Sequence, residues 1–281
     1  MAPIGSFVLQ GTAHLNSGPH PERARADAEV LLLHLLAKDK AWLMTHLDEE
    51  LAEEMAANYL ELLECRCKGE PIQYIIGETE FYGLPFRVTR EVLIPRHETE
   101  HLIEKVIAMG ARFSAPRIVD VGTGSGCIAI SLAHLLPQAQ ISATDLSAAA
   151  LAIAGENAKR NGADIRFLAG DLLAPVAGEQ FDLIVSNPPY VPCADRATLS
   201  VEVRDYEPTI ALFAGDDGLE VYRRLIPSAF EALVPGGSLL LEIGFGQSPA
   251  VTELLARAGF EQIVFSSDLQ GIPRVVCARR P

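Results

Sequence analysis

The sequence predicts an α/β protein in which a doubly wound, seven-stranded domain follows a small all-α domain and a β-hairpin linker. Three observations lead there. Residues from about Pro21 to Gly69 carry helical periodicity without strand-like alternation. The period changes between Pro71 and Pro95. From Arg117 onward, strand and helix patterns alternate.

The elements follow in order. Ala28, Val30, Leu31, Leu32, Leu35 and Leu36 recur at a spacing that gives one apolar helix face. A second helix is expected over 48–67, opening on acidic residues that suit a helix N-terminus and closing at Lys68-Gly69. The stretch Glu80-Phe81-Tyr82-Gly83-Leu84-Pro85-Phe86-Arg87-Val88 fits two short strands around a glycine turn. Strands are expected at 118–121, 140–144, 165–169, 181–186, 238–243, 262–265 and 274–278, with helices such as 147–161 and 218–233 between them. The first of these strands are apolar throughout, as in a parallel sheet covered on both faces. The expected domains are 1–72 (helical), 73–95 (hairpin linker) and 96–281 (doubly wound).

Composition narrows the function. With 281 residues, 49% hydrophobic and 21% charged, the chain has the make-up of a globular protein. No run approaches the roughly 18 uninterrupted apolar residues of a membrane helix. The opening Met1-Ala2-Pro3-Ile4-Gly5-Ser6 lacks the basic segment and long apolar core of a signal peptide. A cytoplasmic location with no membrane partner is expected. The net charge of -14 argues against wrapping duplex DNA, because phosphate neutralisation needs clustered Lys and Arg. The five cysteines are scattered with no Cys-x-x-Cys pair, so neither a disulfide framework nor a cysteine zinc site is expected.

The first strand of the doubly wound domain runs into Asp120-Val121-Gly122-Thr123-Gly124-Ser125-Gly126 and then a helix. Glycines between a strand and a helix N-terminus bring bare backbone against a ligand. The spacing is G-x-G-x-G, not the G-x-G-x-x-G of dinucleotide enzymes. Led by an acidic residue, it is the usual signature of S-adenosylmethionine methyltransferases; a glycine turn without ligand is the alternative. Asp145 ends the second strand, where its carboxylate can accept from both ribose hydroxyls; Ser147 is better placed as the helix cap. Asp171 follows the third strand and can accept from the adenine amino group while Leu172 packs on the ring. A plain turn residue is the other reading of Asp171.

The fourth strand ends in Asn187-Pro188-Pro189-Tyr190. A surface turn is the bland reading, but the tetrapeptide leaves the same sheet edge as the glycine loop. An amide nitrogen is a poor nucleophile because its lone pair is delocalised. The Asn187 side-chain oxygen and the Pro188 carbonyl can accept both of its N–H bonds, proline stiffens the backbone, and Tyr190 can pack on the planar group. Asn187 is also expected to border the cofactor. His97-Glu98-Thr99-Glu100-His101 matches the H-E-x-x-H zinc protease signature. Pro95 and Arg96 ahead of it suit a helix entry instead, so no metal is expected and a charged first helical turn is the simpler reading.

Taken together, these motifs resemble the HemK/PrmC family, bacterial methyltransferases acting on the glutamine N5 amide of peptide-chain release factors. The resemblance rests on Pro71-Ile72-Gln73-Tyr74-Ile75-Ile76-Gly77, Glu80-Phe81-Tyr82-Gly83-Leu84, Val92-Leu93-Ile94-Pro95-Arg96 with Glu98-Thr99-Glu100, the glycine loop, the Asn187–Tyr190 tetrapeptide and Asp268-Leu269-Gln270-Gly271-Ile272-Pro273-Arg274-Val275-Val276. The Ala28-Glu29-Val30-Leu31-Leu32 stretch is similar but less specific. The resemblance implies a Rossmann-like methyltransferase fold using S-adenosylmethionine and releasing S-adenosylhomocysteine. It also implies a helical domain that docks the release factor, and a Gly-Gly-Gln loop inserted at Asn187. Partners would be release factors rather than nucleic acid, and a monomer is expected. Asn-Pro-Pro-Tyr alone is shared with adenine-N6 methyltransferases; the charge and the lack of an inserted base-reading domain oppose that alternative. His97 departs from the family's usual proline.

Overall fold

The computed structural model describes residues 2–268 and 270–281. Leu269, within the C-terminal motif quoted above, lies outside the described residues. The chain divides into two compact units.

The first unit is the chain up to Gly77 together with Leu199–Tyr206. Its helices are α1 (Ile4–Leu15), α2 (Ala24–Leu36), α3 (Lys40–Thr45), α4 (Glu53–Cys67) and α5 (Ile72–Ile76). Ile4, Val8, Leu31, Leu32, Leu43, Tyr59 and Leu63 form much of its core. Helix α1 lies ahead of the region that periodicity marks as helical. Gly5, Gly11 and Thr12 leave it little intrinsic helix preference, and packing decides instead. A β-carbon on Gly11 would sit 2.2 Å from the Tyr59 hydroxyl, so α1 approaches α4 where a side chain would not fit. That hydroxyl donates to the Ala28 carbonyl at 3.0 Å, joining α4 to α2. Helix α4 starts at Glu53 rather than residue 48, with Glu53 and Glu54 in its first turn. Buried Arg66 bridges Asp27 at 2.6 Å and also pairs with Glu202, which ties Leu199–Tyr206 to this helical core.

The second unit opens with the hairpin β1 (Glu78–Phe81) and β2 (Leu84–Arg87), followed by α6 (Glu98–Gly110). Then come β3 (Arg117–Val121), α7 (Cys127–Leu135), β4 (Gln140–Asp145), α8 (Ala148–Asn161), β5 (Arg166–Ala169) and β6 (Phe181–Ser186). After α9 (Val201–Tyr206), which belongs to the first unit, the chain continues through α10 (Thr209–Leu212) and α11 (Glu220–Ala232). It ends with β7 (Leu233–Glu242), α12 (Ser248–Arg257), β8 (Glu261–Ser267) and β9 (Pro273–Arg279). The hairpin is stitched into this unit: Asn157 on α8 accepts from Arg87 N at 2.7 Å and donates to Arg87 O at 3.0 Å.

The seven strands are ordered β5-β4-β3-β6-β7-β9-β8, parallel except β9, which is antiparallel to both neighbours. Alternation along each strand divides the core between the two faces. Ile118, Leu183, Val185 and Leu240 join Leu102, Ile103, Val106 and Ile128 of α6 and α7 on one face. Val119, Ile184, Leu239 and Leu241 join Tyr222, Leu225, Val251 and Leu255 of α11 and α12 on the other. From β3 the order runs outward through β4 and β5, then returns to β6 on β3's other side. That reversal opens a crevice at the carboxyl ends of β3 and β6, the place where doubly wound sheets bind ligands. Among the described residues no helix is long and apolar enough to cross a membrane.

Candidate functional site

The glycine loop leaves β3 and Asn187 leaves β6, and these strands are direct neighbours in parallel register with Asp120 opposite Val185. Sheet topology therefore delivers both motifs to one crevice. Gly122, Thr123, Gly124, Ser125, Asp145, Asp171, Leu172 and Asn187 line a single cavity of about 280 Å³. Gly126 has another duty. Its φ of +82° makes the turn into α7, and a β-carbon there would lie 3.0 Å from Ile130 Cδ1 and 3.2 Å from Ala154 Cβ, closing α7 against α8.

The loop is held by hydrogen bonds that its N–H groups donate to β4. Thr144 O accepts from Gly122 N at 2.9 Å and Thr123 N at 3.0 Å. Asp145 Oδ2 accepts from Gly124 N at 2.8 Å, and its Oδ1 accepts from Ser147 N at 2.8 Å. Each carboxylate oxygen has a further lone pair, so Asp145 shapes the loop and still faces the cavity. Ser147 caps α8 as expected, accepting from Ala150 N at 3.1 Å. Beneath the loop, burial pushes the Asp120 carboxyl up to about 7, opposed by the hydrogen bond from Thr123 Oγ1. Leu172 has a φ of +49°, a left-handed backbone that leucine rarely adopts, and its carbonyl accepts from Thr144 Oγ1 at 2.8 Å. Asp171, at the same wall, is ion-paired with Arg224 of α11.

At the other strand end, Ser186 Oγ donates to Val121 O at 2.6 Å and fastens β6 to β3 just before the tetrapeptide. Asn187 and Pro189 line the cavity. Pro188 is buried. Tyr190 turns its hydroxyl to Glu242 Oε1 at 3.4 Å, and its ring packs against the core formed by α11 and α12. Asn187 Nδ2 donates to Thr99 Oγ1 at 3.0 Å, and that hydroxyl donates to Glu242 Oε2 at 2.7 Å. Burial raises the Glu242 carboxyl to about 7, countered by the Thr99 hydroxyl.

Thr99 and Glu242 were not singled out as site residues by their motifs. Glu242 had a signal, being a carboxylate that ends the apolar run Leu239-Leu240-Leu241. Thr99 sat inside the H-E-x-x-H match. There the side chains diverge: His97 is 91% exposed and faces Glu100 at 3.6 Å, His101 faces Glu104 at 3.7 Å, and Thr99 between them is buried. Further walls come from 91–96 and 208–214, where Arg96 pairs with buried Glu207.

The chain is similar to known proteins over nearly its whole length. Residues 99–202 match the family model for a methyltransferase small domain, and residues 9–77 match that for the PrmC N-terminal domain. A release factor glutamine methyltransferase of Geobacter sulfurreducens is 45% identical over 92% of this chain and 90% of its own length. One of Deinococcus radiodurans is 43% identical over 99% and 98%. Among solved structures, a ribosomal protein L11 methylase of Lactobacillus delbrueckii is 28% identical with a TM-score of 0.50, covering 66% of this chain and 81% of that one. The T. thermophilus 16S rRNA N2 G1207 methyltransferase, in complex with AdoMet and guanosine, has a TM-score of 0.54 at 18% identity. It covers 73% of this chain and 50% of that one, and shares the fold. With relatives this similar matching both units end to end, the chain belongs to the release factor glutamine methyltransferase family.

Proposed function

We propose that this chain transfers a methyl group from S-adenosylmethionine to the N5 side-chain amide nitrogen of the glutamine in the Gly-Gly-Gln loop of class-1 peptide-chain release factors. The observation that carries the reading is one cavity holding both the glycine loop with its carboxylates and the Asn187 amide. Family membership narrows the substrate from amide-like nitrogens in general to that glutamine.

The residues present fit the cofactor. A β-carbon built on Gly122 or Gly124 would meet nothing within 4 Å, so that space is free for a ligand against the backbone. Asp145 would hold the ribose hydroxyls, while Asp171 and Leu172 would receive the adenine. Thr123 and Ser125 complete the loop around the ligand. When bound, S-adenosylmethionine supplies an electrophilic methyl on a sulfonium. Asn187 Oδ1 and the Pro188 carbonyl would accept the two N–H bonds of the glutamine amide, turning its lone pair toward that methyl. Pro189 and Tyr190 keep the tetrapeptide in place. Positioning supplies several kcal/mol in such reactions, of order 7 or more in favourable systems. Hydrogen bonds to a nitrogen gaining positive charge add to this in the transition state.

The division into a release-factor docking domain over 1–72, a hairpin linker over 73–95 and a methyl-transfer domain over 96–281 belongs to the same proposal. So does a cytoplasmic monomer that acts on protein. The test is mass spectrometry of a purified release factor incubated with this protein and S-adenosylmethionine. One added methyl on the Gly-Gly-Gln glutamine, lost with Asn187→Ala, is the expected result. Absence of that methyl while S-adenosylmethionine still binds would overturn the substrate and make nucleic acid the next one to try.

A further inference from the structure

We propose that Thr99 and Glu242 are positioning residues that hold the Asn187 side-chain amide in one orientation, with Oδ1 free to accept from the incoming substrate nitrogen. The inference rests on the reading of Asn187 given above. It follows from counting protons. The Thr99 hydroxyl has a single proton and gives it to Glu242 Oε2 at 2.7 Å. Toward Asn187 it therefore offers lone pairs alone, and accepts from Nδ2 at 3.0 Å. An inverted amide would set Oδ1 against those lone pairs and turn an N–H donor toward the substrate, which itself arrives as a donor. Such an orientation would repel the amide that the site has to grip.

The fold has no need of this arrangement for itself. Thr99 stands in the first turn of α6, yet that helix has no side-chain cap bond, and the hydroxyl is directed across to the end of β7. Glu242 is 2% exposed and follows three buried leucines, where an apolar residue would continue the core. A buried carboxylate is costly unless hydrogen-bonded. Its side-chain donors come from Thr99 and from the Tyr190 hydroxyl at 3.4 Å, so one carboxylate secures both ends of the Asn187–Tyr190 tetrapeptide. Parallel pairing of Ser186 with Leu241 brings Asn187 and Glu242 to the same level of the sheet. Thr99 requires an acceptor oxygen, which the ionised carboxylate supplies at Oε2; the protonated carboxyl supplies it when its proton sits on Oε1, on the Tyr190 side.

The experiment compares wild type with Thr99→Val, Thr99→Ser and Glu242→Gln in the full chain. Thr99→Val keeps the shape and removes the hydroxyl, whereas Thr99→Ser and Glu242→Gln keep the necessary donor and acceptor. Thr99→Val should lower kcat for release-factor methylation by about tenfold or more, the effect of one lost buried hydrogen-bond partner. S-adenosylmethionine affinity should stay unchanged, and the serine and glutamine variants should stay within about threefold of wild type. Independently of any substrate, the Asn187 side-chain amide protons, observed by NMR, should be protected from exchange in wild type and Thr99→Ser and lose protection in Thr99→Val. An active wild type with equally active Thr99→Val, or equal amide protection in the two, would overturn the proposal. A wild type that leaves the release factor unmethylated would overturn the proposed substrate instead, and the amide measurement would still decide the orientation.

Discussion

Glu242 allows a prediction about stability whose size comes from its surroundings. Burial lifts its carboxyl from the ordinary 4.5 to about 7. The folded protein therefore holds this proton more tightly than the unfolded chain does. The associated stability is fully present below pH 4.5 and is lost as pH rises through about 7. At roughly 1 kcal/mol per pKa unit, the whole effect is about 3 kcal/mol, of which about 1 kcal/mol falls between pH 6 and pH 8. Glu242→Gln preserves an acceptor for Thr99 but has no proton to release. Urea unfolding at pH 6 and pH 8 should show the second unit of wild type losing about 1 kcal/mol more than Glu242→Gln over that interval. Asp120, raised by burial in the same way, contributes equally to both proteins and cancels in the difference. Identical pH slopes in the two proteins would refute the reasoning, because they would mean that Glu242 titrates as though solvated.

Three further outcomes follow from the packing. Gly126→Ala must adopt a φ of +82° and meet Ile130 and Ala154 at 3.0 to 3.2 Å; a loss of about 2–4 kcal/mol is expected, read as a fall in the thermal midpoint. Asp145→Asn turns an N–H toward either Gly124 N or Ser147 N, both donors. Calorimetry should show S-adenosylmethionine binding weakened by about tenfold or more. Arg66→Met deprives Asp27, 3% exposed, of its buried partner at 2.6 Å and leaves it the exposed Arg23 at 3.7 Å. The helical unit should lose about 3–5 kcal/mol, with faster amide exchange across 199–206.

Much of the molecule was legible from the chain alone, and particular residues show why. The 181–186 strand matches β6 residue for residue, because an apolar run between turn signals has one way to be buried in a parallel sheet. The glycine loop and Asn187 were recognisable because each is a contiguous motif whose chemistry depends on backbone shape or on a single side chain. Ser147 as a helix cap is an equally local matter. Helix α1 was not, since its glycines argue against a helix until Tyr59 is packed on Gly11 from 48 residues away in sequence. The antiparallel placement of β9 between β7 and β8 likewise depends on pairing between strands, which periodicity within one strand does not encode.

At the site the division is sharper. Residue types and spacing picked out groups that line the one cavity: the glycine loop, the carboxylates of Asp145 and Asp171, and an amide at Asn187. Tertiary structure alone decided how that amide is turned. Thr99 and Asn187 lie 88 positions apart, and Thr99 and Glu242 lie 143 apart. They meet because α6 packs over the ends of β6 and β7. The direction of a hydrogen bond depends on which proton is already taken, and that is settled when three distant segments come together.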